Sequence, residues 1–91
     1  MRKIINNKKY DTETAKEICS HTNYNNGLPC SWDTIYRKKT GEFFLYHETN
    51  GQNCWDLKEY IQPLDESEAL EHCQTWMTGE AYEEVFGEVE E

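Results

Sequence analysis

The chain has 91 residues, with 18 Asp and Glu against 9 Lys and Arg, for a formal net charge of -9. A chain this short makes one domain and is too small for a dinucleotide-binding, kinase or barrel enzyme fold. The negative balance also argues against nonspecific binding to DNA, RNA or an anionic membrane, because phosphate contacts need clustered Lys and Arg.

No apolar run approaches the roughly 20 residues that span a bilayer, and residues 1–10 carry charge without the apolar core of an export signal. The expectation is a soluble, cytoplasmic chain. Its 36% hydrophobic residues would make a weak core on their own, but 13% of the chain is aromatic, and large rings bury enough area to compensate. The margin is thin, which leaves oligomerisation or docking on a partner open.

In chain order, Asn6-Asn7 tolerates positive φ and predicts a short hairpin between Arg2–Asn6 and Lys8–Tyr10. Asp11–Ile18 fits either a strand or a single helical turn. Ser20–Pro29 contains Asn23, Asn25, Asn26, Gly27 and Pro29, and this density of turn formers predicts a loop. Ser31–Lys38 alternates around Trp32, Thr34 and Tyr36, and Glu42–Thr49 carries Phe43, Phe44, Leu45 and Tyr46. Thr40-Gly41 joins the two as a hairpin. Asn50-Gly51 is the preferred type I′ dipeptide, and Gln52–Ile61 supplies a third strand with Cys54, Trp55, Leu57 and Tyr60. The continuous apolar run at 43–46 marks a central strand with both faces at least partly covered.

From Pro63 the period becomes helical. Asp65 fits an N-cap, Glu68 the matching position of a capping box, and Leu64 with Ala69 a hydrophobic staple. Ala69, Leu70, Cys73, Trp76 and Met77 share one helix face. Thr78-Gly79 breaks the helix, and a second short one carries Ala81, Tyr82, Val85 and Phe86 before stopping at Gly87. Glu88–Glu91 reads as a frayed acidic tail. The expected class is α+β: a small antiparallel β-sheet of three or more strands packed with C-terminal helices. It forms one domain over 1–91, mainly β to residue 62 with a loop at about 20–30, then two short acidic helices over 63–87.

Charge is segregated along the chain. Residues 1–60 hold all nine basic residues against eight acidic ones, a net of +1; residues 61–91 hold ten acidic residues and no Lys or Arg, a net of -10. Cys19, Cys30, Cys54 and Cys73 read first as reduced thiols, with disulfides and a zinc site built on Cys19, His21, His72 and Cys73 as alternatives. No C-x2-C or H-x3-H spacing is present to pre-form half a metal site.

Acid–base catalysis needs a carboxylate whose pKa is raised in a pocket, and the paired acids Glu66 with Glu68 and Glu83-Glu84 fall on solvated helix faces. His47-Glu48 and His72-Cys73 are the nucleophile or base combinations worth naming. A reactive thiolate needs a positive neighbour, whereas Cys73 sits among acids. No phosphate loop or nucleophile elbow occurs, so the chain is read as noncatalytic and without a cofactor.

The aromatic row Trp32, Tyr36, Phe43, Phe44, Tyr46, Trp55 and Tyr60 beside Arg37, Lys38 and Lys39 fits a core better than a stacking platform for single strands. The remaining feature is the acidic C-terminal third. Carboxylates spaced along two short helices approach the charge density of a duplex backbone, and Glu66, Glu71, Glu80, Glu83 and Glu84 are the expected partner-binding residues.

Three motifs carry a resemblance: KKYDTETA at 8–15, IYRKKTGEFFLY at 35–46, and IQPL at 61–64 followed by Glu68-Ala69. Together they resemble a family of small acidic proteins on phages and other mobile elements of Gram-positive bacteria, and the similarity covers most of the chain. His47–Gly51 departs from the pattern, where relatives tend to have a glycine-rich loop. The resemblance implies the cytoplasm of a bacterial host and an anti-defence role of the anti-CRISPR kind. The partner implied is a CRISPR-Cas effector whose heteroduplex channel is positively charged, with no direct nucleic-acid or membrane contact and a homodimer left open. A general interaction or regulatory module of the mobile element is the alternative, followed by a small metal- or nucleic-acid-binding module.

Overall fold

The computed structural model describes residues 1–49 and 58–87. The expected Asn50-Gly51 turn, Cys54, Trp55, most of the third strand and the acidic tail lie outside them. The described elements are β1 (Arg2–Ile5), β2 (Lys8–Asp11), β3 (Lys16–Asn25), β4 (Leu28–Arg37), β5 (Phe43–Thr49), β6 (Tyr60–Leu64), α1 (Glu66–Trp76) and α2 (Gly79–Phe86). β3-β4-β5-β6 form an antiparallel four-stranded sheet in sequence order, and β1-β2 a separate two-stranded one. The class is α+β. No described helix is long and apolar enough to cross a membrane.

Local chemistry explains most of the joints. Asn6 and Asn7 take φ of 53° and 63°, the pair of positive values that a type I′ turn requires. The ambiguous segment 11–18 divides into the end of β2, a turn at 12–15 and the start of β3: the Asp11 carbonyl accepts the Ala15 N–H at 3.1 Å and its carboxylate the Glu13 N–H at 3.0 Å. At the β4–β5 joint the Gly41 N–H donates to the Lys38 carbonyl at 2.8 Å, with Gly41 at φ 95°. α1 opens on the expected capping box, where Asp65 Oδ1 accepts the Glu68 N–H at 2.8 Å and Glu68 Oε1 the Asp65 N–H at 3.3 Å. Thr78 caps α2 by accepting the Ala81 N–H, and Gly87 ends it at φ 91°.

The expected loop at 20–30 is instead a long hairpin. β3 runs to Asn25 and β4 starts at Leu28, with Asn26 and Gly27 at φ 53° and 79°. The turn residues are real, but they occupy two positions, not ten. Strand conformation at Asn23 is supported by its side-chain amide, which donates to Ser31 Oγ and Asp33 Oδ2 on β4.

The four-stranded sheet is covered on both faces. On one, α1 and α2 bury Cys19, Ile35, Phe43, Leu45 and Leu64 against Ala69, Cys73 and Tyr82. On the other, Tyr10 from the β1–β2 hairpin packs on Phe44, Tyr46 and Ile61. β5 therefore alternates its side chains between two cores, as the apolar run at 43–46 predicts. Phe44 is fully buried, edge-on to Tyr10 at 5.5 Å and stacked on Tyr36 at 5.2 Å. Pro63 sits in β6, an edge strand of the sheet, where a missing N–H is tolerated.

Candidate functional site

The five expected partner-binding carboxylates are all exposed, on the helical layer. They do not form one row. Glu66 is the first residue of α1 and Glu71 lies five positions on, about 140° around a helix of 3.6 residues per turn. Glu80, Glu83 and Glu84 stand at i, i+3 and i+4 on α2 and share a face. The other side of α2 is spent on packing: Tyr82 is buried, and its ring lies 4.8 Å from Phe86, which in turn lies 6.3 Å from Phe43 of the sheet.

Electrostatics separates these carboxylates further. Glu66 and Glu80 lie in the first turns of their helices, where the exposed N–H groups favour negative charge. The fold itself accounts for them. Glu83 and Glu84 occupy the last turn of α2, which has no basic residue, so the helix dipole opposes them and Glu80 repels Glu84 across one turn. Among the described residues no Lys or Arg forms a salt bridge with any of the five. Beside them, at the α1–α2 corner, a concavity of about 330 Å³ is lined by Gln74, Met77, Thr78, Gly79, Tyr82 and Glu83.

The basic residues gather at a different place. Lys16, Arg37, Lys38 and Lys39 line a concavity of about 340 Å³ with Thr14 and Ala15. Lys38 is already engaged there, 3.4 Å from Glu42 Oε1 and 4.4 Å above the Tyr10 ring, and Arg37 lies 5.5 Å over Phe43. Of the aromatic row, Phe43, Phe44 and Tyr46 are buried core residues.

The other sequence-derived combinations are rearranged. His47 and Glu48 are neighbours on a strand and face opposite ways; the partner of His47 is Asp33 on β4, with Nδ1 2.6 Å from Oδ1. His47 Nε2 is buried without a hydrogen-bond partner, and the ring stacks on Tyr60 at 4.8 Å. This polar cluster of Asn23, Ser31, Asp33 and His47 was not legible as a site, because its members come from three strands with no motif spacing.

Cys73 likewise finds Cys19 rather than His72, with the two Sγ atoms 3.1 Å apart in the core. Both are free thiols, and burial holds each above its ordinary pKa. His21 and His72 pack on Trp76, at 5.3 and 4.8 Å between ring centroids. Among the described residues no group of three or more His, Cys, Asp or Glu is arranged to hold a metal ion. Cys30 is disulfide-bonded, a correction to the expectation of four reduced thiols.

No protein-family model, curated protein or solved structure matches the chain.

Proposed function

We propose that the chain is a noncatalytic anti-defence inhibitor that occupies the basic nucleic-acid groove of a CRISPR-Cas effector with the acidic face of its helical layer. The observation that carries this reading is the pair Glu83 and Glu84 in the last turn of α2, exposed and, among the described residues, without a salt bridge to Lys or Arg. Both the helix dipole and Glu80 disfavour charge there, so these carboxylates weaken the fold that displays them. A positively charged partner surface supplies the missing counter-charge. Glu80 completes the α2 face, Glu66 and Glu71 extend it onto α1, and the adjacent concavity at Gln74, Met77 and Tyr82 has room for a partner side chain.

Segregation of charge supports the same orientation. Residues 61–91 contain no Lys or Arg, so the formal charges of the helical layer have one sign. The resemblance to small acidic proteins of phages and mobile elements selects effectors of bacterial defence among the many proteins with basic grooves. Effector channels hold a heteroduplex through its backbone, and occupation by carboxylates excludes guide or target.

The test is a pull-down of the tagged chain against purified effectors, with and without guide RNA, at low and moderate salt. Binding that weakens steeply with salt and is blocked by guide or target is expected. Salt-insensitive binding, or none to any effector, overturns the mechanism.

A second reading is favoured by a separate observation. Tyr24 and Leu28, at the tip of the β3–β4 hairpin, are 66% and 52% exposed, which suits an interaction or regulatory module that associates through apolar contact, including with a second copy of itself. Concentration-dependent self-association abolished by Tyr24→Ser with Leu28→Ser distinguishes it.

A further inference from the structure

Cys19 and Cys73 are a pair of buried thiols that the acidic-face reading leaves unused. Cys19 reaches the helical side of the sheet because of a register irregularity: Glu17 pairs with Tyr36 and Cys19 with Ile35, leaving Ile18 as the extra residue of a bulge. Without that bulge, the alternation of a strand would point Cys19 away from α1. Cys73 approaches from the buried face of α1. The two sulfurs come from positions 54 residues apart in sequence and lie 3.1 Å from each other. Their surroundings are apolar, with Ile35, Phe43, Leu45, Leu64 and Ala69 in the same cluster. A disulfide needs sulfurs about 2.05 Å apart, an approach of roughly 1 Å from where they stand.

We propose that Cys19 and Cys73 are a latent disulfide, closed by exchange with a small-molecule disulfide such as oxidised glutathione, that fastens α1 covalently to β3. In the first step the thiolate of one cysteine attacks a sulfur of the donor, forming a mixed disulfide and releasing one donor thiolate. In the second, the other cysteine's thiolate attacks the protein sulfur of that mixed disulfide, and the second donor thiolate leaves. The two cysteine protons pass to the departing thiolates, and the two electrons lost by the cysteines reduce the donor to two thiols.

The setting makes the closure conditional. Cys73 is fully buried and Cys19 is 9% exposed, so a donor reaches them only when α1 lifts from the sheet. Burial also keeps both sulfurs protonated, since it disfavours the thiolate that attacks. Exchange is therefore slow in the folded chain and fast during refolding. Cys30 already carries a disulfide, and oxidising conditions that preserve that bond also favour closure of a second pair whose sulfurs stand 3.1 Å apart. Once closed, the link restricts a long loop in the unfolded chain and holds α1 down.

The test refolds the full reduced chain in a mixture of oxidised and reduced glutathione, blocks free thiols with an alkylating reagent, and maps peptides without reduction by mass spectrometry. The expected result is a linked peptide pair joining Cys19 to Cys73, lighter by two hydrogens than the reduced peptides. The oxidised chain should melt more than about 10 °C above the Cys19→Ala variant treated identically. Recovery of Cys19 and Cys73 as alkylated thiols while Cys30 stays bonded overturns the proposal, as does a link from either to Cys30. The peptide map is read on the unsubstituted chain, so it does not depend on any variant folding, and neither result bears on effector binding.

Discussion

Asp33 on β4 and His47 on β5 are direct cross-strand partners, and their side chains meet with 2.6 Å between Oδ1 and Nδ1. Asp33 also accepts from the Asn23 amide through its other oxygen, so one carboxylate ties three strands of the sheet together. His47 depends on it, because its Nε2 is buried without a partner. Asp33→Ala leaves both ring nitrogens unsatisfied and takes one of two acceptors from the Asn23 amide, which keeps Ser31, and is expected to destabilise the fold by about 1–3 kcal/mol. Urea unfolding of the variant beside the parent chain measures this, and an unchanged midpoint contradicts it.

Glu84→Lys separates fold from function because its two effects have opposite signs. The substitution removes the repulsion from Glu80, replaces it with a favourably oriented i, i+4 pair, and places a cation at the end of α2, raising stability by roughly 0.3–1 kcal/mol. Combined with Glu83→Lys it should abolish effector binding. A double variant that melts at or above the parent temperature yet binds with unchanged affinity removes the acidic face from the mechanism.

Phe44 belongs to the core that joins the β1–β2 hairpin to the main sheet, fully buried between Tyr10 and Tyr36. Phe44→Ala is expected to cost about 3–5 kcal/mol, a large share of the roughly 5–15 kcal/mol that holds a domain of this size. Loss of a cooperative thermal transition, or a much lower midpoint, is the outcome to look for by circular dichroism.

Glu42 bridges the two sheets, with Lys8 of β2 at 3.1 Å and Lys38 at 3.4 Å. The hydrogen bond from Lys8 is the main cause that draws the Glu42 carboxyl below its ordinary pKa of 4.5. A carboxylate whose pKa is lowered by folding stabilises the folded state above its unfolded pKa, and that contribution disappears as pH falls through the folded value. Glu42→Gln should therefore melt slightly below the parent at pH 7 and converge on it in acid below pH 4.5. The difference will be small, because both groups are exposed and screened by solvent. Parallel melting curves from pH 2 to 7 reveal the convergence.

The features legible in the sequence are those decided within a few residues. Asn6-Asn7 makes its turn, Asp65 and Glu68 cap each other, and Gly87 ends α2 at positive φ, each for reasons of local backbone sterics and orphan N–H groups. Asn26-Gly27 takes the same pair of positive φ values as Asn6-Asn7, inside a stretch whose further Asn and Pro residues predict a loop. What overrides them is nonlocal: Ser20–Asn25 of β3 gain ladder partners on β4, and Asn23 gains two side-chain acceptors.

The sequence by itself determined the α+β class, the helix boundaries, the two-faced burial of β5 and the concentration of negative charge on the helical layer, since these follow from periodicity, caps and charge order along the chain. Only the tertiary structure decided which groups meet: Asp33 rather than Glu48 at His47, Cys19 rather than His72 at Cys73, and the β1–β2 hairpin on the face opposite the helices. Alternation sends adjacent strand residues to opposite faces, and the bulge at Ile18 reverses that assignment from Cys19 to Asn23, where a second register shift follows. Contacts between residues far apart in the chain depend on register, and register is set by the packing of the whole sheet.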